Sequence, residues 1–124
     1  ALDRFGVRPD MVAGHSYGSD LALHTVLGID EEAMCDGRVE RPSAVVAVAG
    51  FTTPIPARAH SDAHIDLVVG EMDSPGSMPG YAERLRDAGH HVDTLIHPGA
   101  DHGSILDPRE GTPTIGIIVA ATRR

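Results

Sequence analysis

Ser16 carries a hydroxyl group in a sequence context that favours nucleophilic chemistry. It is the central residue of Gly14-His15-Ser16-Tyr17-Gly18, which matches the pattern G-x-S-x-G. An apolar run precedes the pattern and a helical periodicity follows it, so the serine would lie on a strained strand-to-helix turn. We expect glycine at both flanking positions because side chains there would collide with the adjacent strand and helix. The pattern therefore predicts Ser16 as a nucleophile.

A serine hydroxyl needs a base to accept its proton, and the base needs a group that holds it in one tautomer. His102 follows the last predicted strand, and Asp73 comes just after the third. Catalytic groups of parallel sheets collect beyond the carboxyl ends of the strands, which predicts His102 as the base and Asp73 as the orienting acid. Glu71, at the very end of its strand, and Asp66, within that strand, are the competing carboxylates.

The elements that must position these groups follow from the pattern of apolar residues. Short apolar or alternating runs predict four strands, and the second has no polar alternation, as expected of a strand covered on both faces. These strands span residues 10–15, 44–50, 65–70 and 92–96, the last nearer a sheet edge. Helical patterns follow Ser16 up to Gly28, span residues 79–89 and begin again at Thr112-Pro113. The resulting order, β-α-β-β-α-β-α, predicts an α/β fold with a mostly parallel sheet flanked by helices. Residues 29–43 are expected to form a surface connection.

Composition limits the classes of function that the chain can have. Its 124 residues suit one compact domain, and the net charge of -8, without a run of basic residues, argues against a nucleic-acid partner. No apolar stretch is long enough to predict a membrane span, and no signal peptide is recognisable, so a cytoplasmic location is expected. The chain begins with Ala1 rather than Met, which favours a true N-terminus further upstream.

Metal ions and cofactors are not expected to take part. The eight histidines include those of His60-x-Asp62-x-His64 and the pair His90-His91. Neither group lies in a predicted helix, as the two histidines of a helical zinc motif would, and neither has a convincing third ligand. The single cysteine is expected to be a small packed residue. We therefore predict no metal site and no cofactor.

Four segments together resemble the C-terminal half of an α/β-hydrolase. They are the turn at 14–18, the strand at 44–50, the stretch 66–73 with its Gly-Glu-x-Asp ending, and residues 98–103 with Asp-His-Gly. The chain order Ser, Asp, His is also that of the family. The resemblance covers nearly the whole chain.

This resemblance implies a serine esterase, lipase or related acyl hydrolase that acts on a small ester or acyl substrate. Ser16, Asp73 and His102 would form its triad, and the backbone N–H of Tyr17 would be one oxyanion donor. An open acyl pocket is expected, because no large helical insertion separates the second and third strands. The residues considered for its lining, each with ordinary packing as the alternative, are His15, Tyr17, Phe51, Met78 and Ile105.

The chain departs from the family ahead of Gly14. Family members have further strands there, with an HGGG-like loop that supplies a second oxyanion donor, and no such segment precedes the turn. Residues 1–124 are therefore expected to be the C-terminal portion of a single α/β-hydrolase domain. Loss of one donor typically costs about 10²–10³ in rate, so weak activity is expected of the chain alone.

Other interpretations remain open. The unpaired sheet edge would favour association with a second copy or with the missing N-terminal elements. The chain could also be a non-catalytic partner module or an inactive fragment of the same fold. Thioesterase, peptidase and cofactor-free peroxidase activities would use a similar site.

Overall fold

A single parallel sheet organises the chain. The computed structural model describes residues 10–28, 41–56, 62–110 and 113–123. Its four strands lie in sequence order across the sheet, and each neighbouring pair is parallel. They are β1 (Met11–His15), β2 (Ala44–Val48), β3 (His64–Gly70) and β4 (His91–His97). All four predicted strands are confirmed, as is the parallel sheet.

Helices cover both faces of this sheet. They are α1 (Tyr17–Leu27), α2 (Met78–Asp87) and α3 (Pro113–Ala121), and short 3-10 helices lie at Pro75–Ser77, Ser104–Leu106 and Pro108–Glu110. One core contains Leu23 of α1 and Leu85 of α2, whereas the other contains Ala121 of α3. The sheet thus lies between α1 and α2 on one side and α3 on the other. This is the α/β architecture that the sequence predicts, in the predicted order of elements.

Strand β2 forms the centre of the molecule. All five of its side chains are buried, as expected of an apolar run without polar alternation. Strand β4 is at the edge of the sheet, where the side chains of Asp93 and Thr94 are exposed. Helix α1 ends before Gly28, as predicted. Most of the predicted surface connection, residues 29–40, lies outside the described residues.

The loops after β3 and β4 are joined to each other by their backbones. The N–H of Glu71 donates to the carbonyl of His97 at 3.0 Å, and the N–H of Met72 donates to that of Ala100 at 2.9 Å. A Cβ atom on Gly70 would lie 2.3 Å from the Ala100 carbonyl oxygen, so this approach requires glycine. The two loops that carry Asp73 and His102 therefore form one unit at the carboxyl edge.

Within the described part of the chain, the helices are too short or too polar to cross a bilayer.

Candidate active site

The turn at Ser16 connects β1 directly to α1. Ser16 has φ of 57° and ψ of -123°, a region that residues other than glycine rarely occupy. Its N–H donates to the carbonyl of Val48 at 2.7 Å, and its carbonyl accepts from the N–H of Ser19 at 3.0 Å. The strained backbone is therefore held by both the neighbouring strand and the following helix. This is the strand-to-helix turn that the pattern predicts.

The two glycines of the pattern have different roles. A Cβ atom on Gly14 would lie 1.9 Å from the carbonyl oxygen of Gly18, so the turn leaves no room for a side chain at position 14. At position 18 a Cβ atom would meet nothing within 4 Å. The expectation of a steric requirement is confirmed for Gly14 and wrong for Gly18, because Gly18 lies in the first turn of α1 with its missing side chain directed into open space.

Asp101 fixes the turn that presents His102. Its side chain accepts hydrogen bonds from the backbone N–H groups of Gly103, at 2.9 Å, and Ser104, at 2.8 Å. Hydrogen bonds from the backbone and side chain of Ser104 and from the backbone of Gly103 lower the pKa of the Asp101 carboxyl. On the neighbouring loop, Glu71 Oε2 accepts the N–H of Gly99 at 2.8 Å. The carboxylates of Asp101 and Glu71 are thus hydrogen-bonded to the backbone of the loop that carries His102.

Ser16, His102 and Asp73 meet at the carboxyl edge of the sheet. His102 Nε2 lies 2.8 Å from Ser16 Oγ, and His102 Nδ1 lies 2.7 Å from Asp73 Oδ2. The imidazole is 49% exposed and the Asp73 side chain 24% exposed, so the group opens to solvent. An imidazole bonded in this way can take a proton from the hydroxyl at one nitrogen while a carboxylate holds the other N–H.

Tyr17 is the first residue of α1. The N–H groups of a helix's first turn have no acceptor within the helix, so the Tyr17 N–H is available to an oxygen near Ser16. The positive end of the helix dipole favours negative charge at the same place. The Tyr17 side chain is 76% exposed and contributes little packing.

The residues considered for a pocket lining lie in different environments. Met78 and Ile105 are almost completely buried in the two cores on opposite faces of the sheet, so ordinary packing accounts for both. Phe51 is half-buried and stacks on Tyr81, with ring centroids 5.8 Å apart. His15 is the exception, because it contacts His102 directly: its Nε2 lies 2.8 Å from the His102 carbonyl oxygen.

One group of residues that positions the site was missed by sequence reasoning. Asp20 of α1 accepts hydrogen bonds from the backbone N–H and hydroxyl groups of both Thr52 and Thr53. Ser19 Oγ donates to the Gly50 carbonyl in the same region. These contacts fix the chain after β2 against the helix that follows Ser16. No local pattern marks them, since the partners are more than thirty residues apart.

A second cluster of polar side chains lies at the other end of β3. His64 Nε2 is 2.8 Å from Asp93 Oδ2 and 3.7 Å from Asp66 Oδ1. Potential ligand atoms of these three residues lie within 4.8 Å of one another. His64 is the first residue of β3, so this cluster takes no part in the Ser16 site. Of the spaced group considered in the sequence, His60 lies outside the described residues.

Comparison with known proteins supports the fold. No family model matches the chain. The solved structure of esterase PE8 superposes with a TM-score of 0.66 at 22% identity, covering 97% of this chain and 52% of that one. Mycoketide-CoA synthase of Mycobacterium tuberculosis is 29% identical over 147 aligned positions, which cover 98% of this chain and 4% of the synthase. The chain therefore has an α/β-hydrolase-like fold and spans about half of the esterase and a small part of the synthase.

Proposed function

We propose that this chain is a serine hydrolase that cleaves carboxylic esters or related acyl substrates. Ser16 is the nucleophile, His102 the general base and Asp73 the group that orients the base. The observation that carries the proposal is the continuous chain of two hydrogen bonds, of 2.7 and 2.8 Å, from Asp73 through His102 to Ser16. The strained backbone at Ser16 and the structural similarity to esterase PE8 support it.

The reaction follows from this geometry. Ser16 Oγ attacks the carbonyl carbon of the substrate as His102 Nε2 takes the hydroxyl proton, and Asp73 stabilises the imidazolium that forms. The tetrahedral intermediate collapses when Nε2 returns the proton to the leaving alcohol, which leaves an acyl-serine. A water molecule, deprotonated by the same nitrogen, then releases the acid and restores Ser16. No cofactor enters any of these steps.

In this proposal the backbone N–H of Tyr17 is one oxyanion donor. Residues 1–124 are proposed to be the C-terminal portion of a single α/β-hydrolase domain, in keeping with the 52% of esterase PE8 that aligns with them. A second donor would then come from the preceding part of that domain. Since one donor is worth about 10²–10³ in rate, we expect slow turnover from the chain alone.

Hydrolysis of p-nitrophenyl acetate by the full chain tests the proposal. Ser16→Ala and His102→Ala are each expected to lower kcat by at least about 10²-fold, because nucleophile and base act in the same step. Ser77→Ala and His91→Ala are matched controls, since both side chains are exposed and neither belongs to the proposed triad. Hydrolysis that persists in Ser16→Ala at the rate of the native chain would exclude the proposed mechanism.

Thioesters are a second candidate class of substrate. The observation in favour is the alignment of nearly the whole chain with part of Mycoketide-CoA synthase, whose name denotes a coenzyme A thioester. The same serine attack would release a thiol in place of an alcohol. Comparing kcat/KM for the acetyl esters of N-acetylethanolamine and N-acetylcysteamine, which differ only in oxygen against sulfur, decides between the classes. Each kcat/KM is divided by the rate constant of the same ester with hydroxide. A higher ratio for the thioester supports this candidate, and equal ratios oppose it.

A further inference from the structure

We infer that His15 is a positioning residue that holds the backbone of His102 in place relative to Ser16. This inference rests on the proposed function. His15 Nε2 lies 2.8 Å from the carbonyl oxygen of His102, across 87 residues of sequence. The two imidazole rings are also in contact, with centroids 4.9 Å apart and planes tilted by 42°. The residue before the nucleophile therefore bonds to the main chain of the base.

The chemistry of this hydrogen bond shows which ring nitrogen of His15 carries a hydrogen. A backbone carbonyl accepts hydrogen bonds and cannot donate one, so His15 Nε2 must carry the hydrogen. The His15 side chain therefore acts as an N–H donor toward the loop. A side chain that lacks a donor at this reach cannot replace it.

The position of His15 explains why this bond would matter for catalysis. His15 is the last residue of β1, where its backbone is paired with Val48 of the buried strand β2. It is also covalently joined to Ser16. The bond thus ties the main chain of His102 to a rigid strand end one residue from the nucleophile.

His102 needs such an anchor because its own surroundings are open. Its side chain is 49% exposed, and the hydrogen bonds made by Asp101 and Glu71 hold the backbone at Gly103 and Gly99, on either side of His102. The imidazole makes its two hydrogen bonds to Asp73 and Ser16, which belong to other loops. A shift of about 1 Å between reacting groups can cost about 10²-fold in rate, so small movements of this turn would be costly.

Two substitutions separate the hydrogen bond from the ring contact. His15→Phe keeps an aromatic ring beside His102 and removes the donor, whereas His15→Gln keeps an N–H at nearly the same reach and removes the ring. We expect His15→Phe to lower kcat for p-nitrophenyl acetate by up to about 10²-fold with little change in KM. His15→Gln is expected to recover most of the lost kcat. His91→Phe, at an exposed position of β4, is the matched control.

The outcomes distinguish this inference from the function on which it rests. Native kcat in His15→Phe, or equal loss in the Phe and Gln variants, overturns the inference while the effects of Ser16→Ala and His102→Ala stand. If the latter two variants keep native activity, the proposed function itself fails. Should His15→Phe not fold, as judged by thermal unfolding, His15→Asn replaces it. Its amide is too short to reach the carbonyl, so recovery by Gln but not by Asn supports the inference, and equal rates contradict it.

Discussion

His102 Nδ1 and Asp73 Oδ2 lie 2.7 Å apart, although 29 residues separate them in the sequence. The competing carboxylate, Glu71, bonds instead to the backbone N–H of Gly99. Asp73 and Glu71 both follow the same strand. Of the two, only Asp73 is within hydrogen-bond distance of the His102 imidazole. The geometry thus favours Asp73 as the residue that orients the base.

Replacing the two carboxylates by their amides should therefore have unequal effects. Asp73→Asn is expected to lower kcat by about 10⁴-fold, since the amide stabilises the wrong imidazole tautomer and cannot compensate the imidazolium charge. Glu71→Gln keeps an oxygen acceptor for Gly99 and should leave kcat within a few-fold of native. Steady-state kinetics on p-nitrophenyl acetate measures both. Equal losses in the two variants would contradict the assignment.

The turn at Ser16 offers a matched pair of glycine substitutions. Gly14→Ala places a methyl group 1.9 Å from the Gly18 carbonyl oxygen, so the turn must shift. We expect a loss of about 1–3 kcal/mol in the free energy of unfolding, or more. Gly18→Ala meets open space within α1 and should be neutral or stabilising by up to about 1 kcal/mol. Urea unfolding measures both; a larger loss for Gly18→Ala would refute this reading of the turn.

Much of the fold could be predicted because apolar runs and helix boundaries are local signals. The run at 44–50 identified a strand buried on both faces, and the structure has it as β2. The places of Ser16, Asp73 and His102 could be predicted because carboxyl ends of parallel strands share one edge. Their hydrogen bonds, in contrast, depend on loop conformations that only the folded chain defines.

Three features of the site could not be settled from residue type. Met78 and Ile105 are apolar, and type alone does not distinguish a pocket wall from the core in which both lie. The pattern around Ser16 suggested one steric reason for two glycines, although only Gly14 faces backbone. The contact of His15 with the His102 carbonyl joins two distant loops and has no signature in sequence.

The carboxylate of Asp20 should make stability depend on pH in acid. Burial tends to raise its pKa, but hydrogen bonds from Thr52 and Thr53 outweigh burial and lower the pKa below the ordinary 3.8. A group whose pKa is lower in the folded state stabilises the protein above its unfolded-state pKa. That contribution is lost as the pH falls through the folded-state pKa.

Asp20→Asn tests this expectation. The variant should lose about 1–3 kcal/mol of unfolding free energy at neutral pH, because charged hydrogen bonds to both threonines are weakened. Its deficit relative to the native chain should shrink as the pH falls below 3.8. Urea unfolding across the acid range provides the measurement, with Asp87→Asn, at an exposed position on α2, as control. A deficit that is constant with pH would be inconsistent with the lowered pKa.

The pKa of Tyr81 is shifted upward, whereas that of Asp20 is shifted downward, so Tyr81 should affect stability at alkaline pH. Burial raises the pKa of its hydroxyl above the ordinary 10.0, the Asp20 carboxylate raises it further, and the Arg84 guanidinium opposes both. The hydroxyl also donates to the Thr53 carbonyl at 2.9 Å. Its contribution to stability is therefore complete below pH 10.0 and is lost as the pH rises toward the folded-state pKa.

The chain has two tyrosines, so Tyr17→Phe leaves Tyr81 as the single chromophore of its kind. In this variant, tyrosinate absorbance in the ultraviolet should develop only above pH 10.0 while the protein is folded. In concentrated urea the same transition should move down to the ordinary range. Identical titration curves in the two conditions would show that burial does not raise this pKa.

The most direct measurement is the site of reaction with a fluorophosphonate, which reports nucleophile and base without requiring turnover. Intact mass and peptide mapping of the full chain should show one phosphonyl group on Ser16. Labelling should be absent in Ser16→Ala, strongly slowed in His102→Ala and unchanged in Ser77→Ala. If the native chain remains unlabelled, or if the label lies elsewhere and persists in Ser16→Ala, the hydrolase account is contradicted.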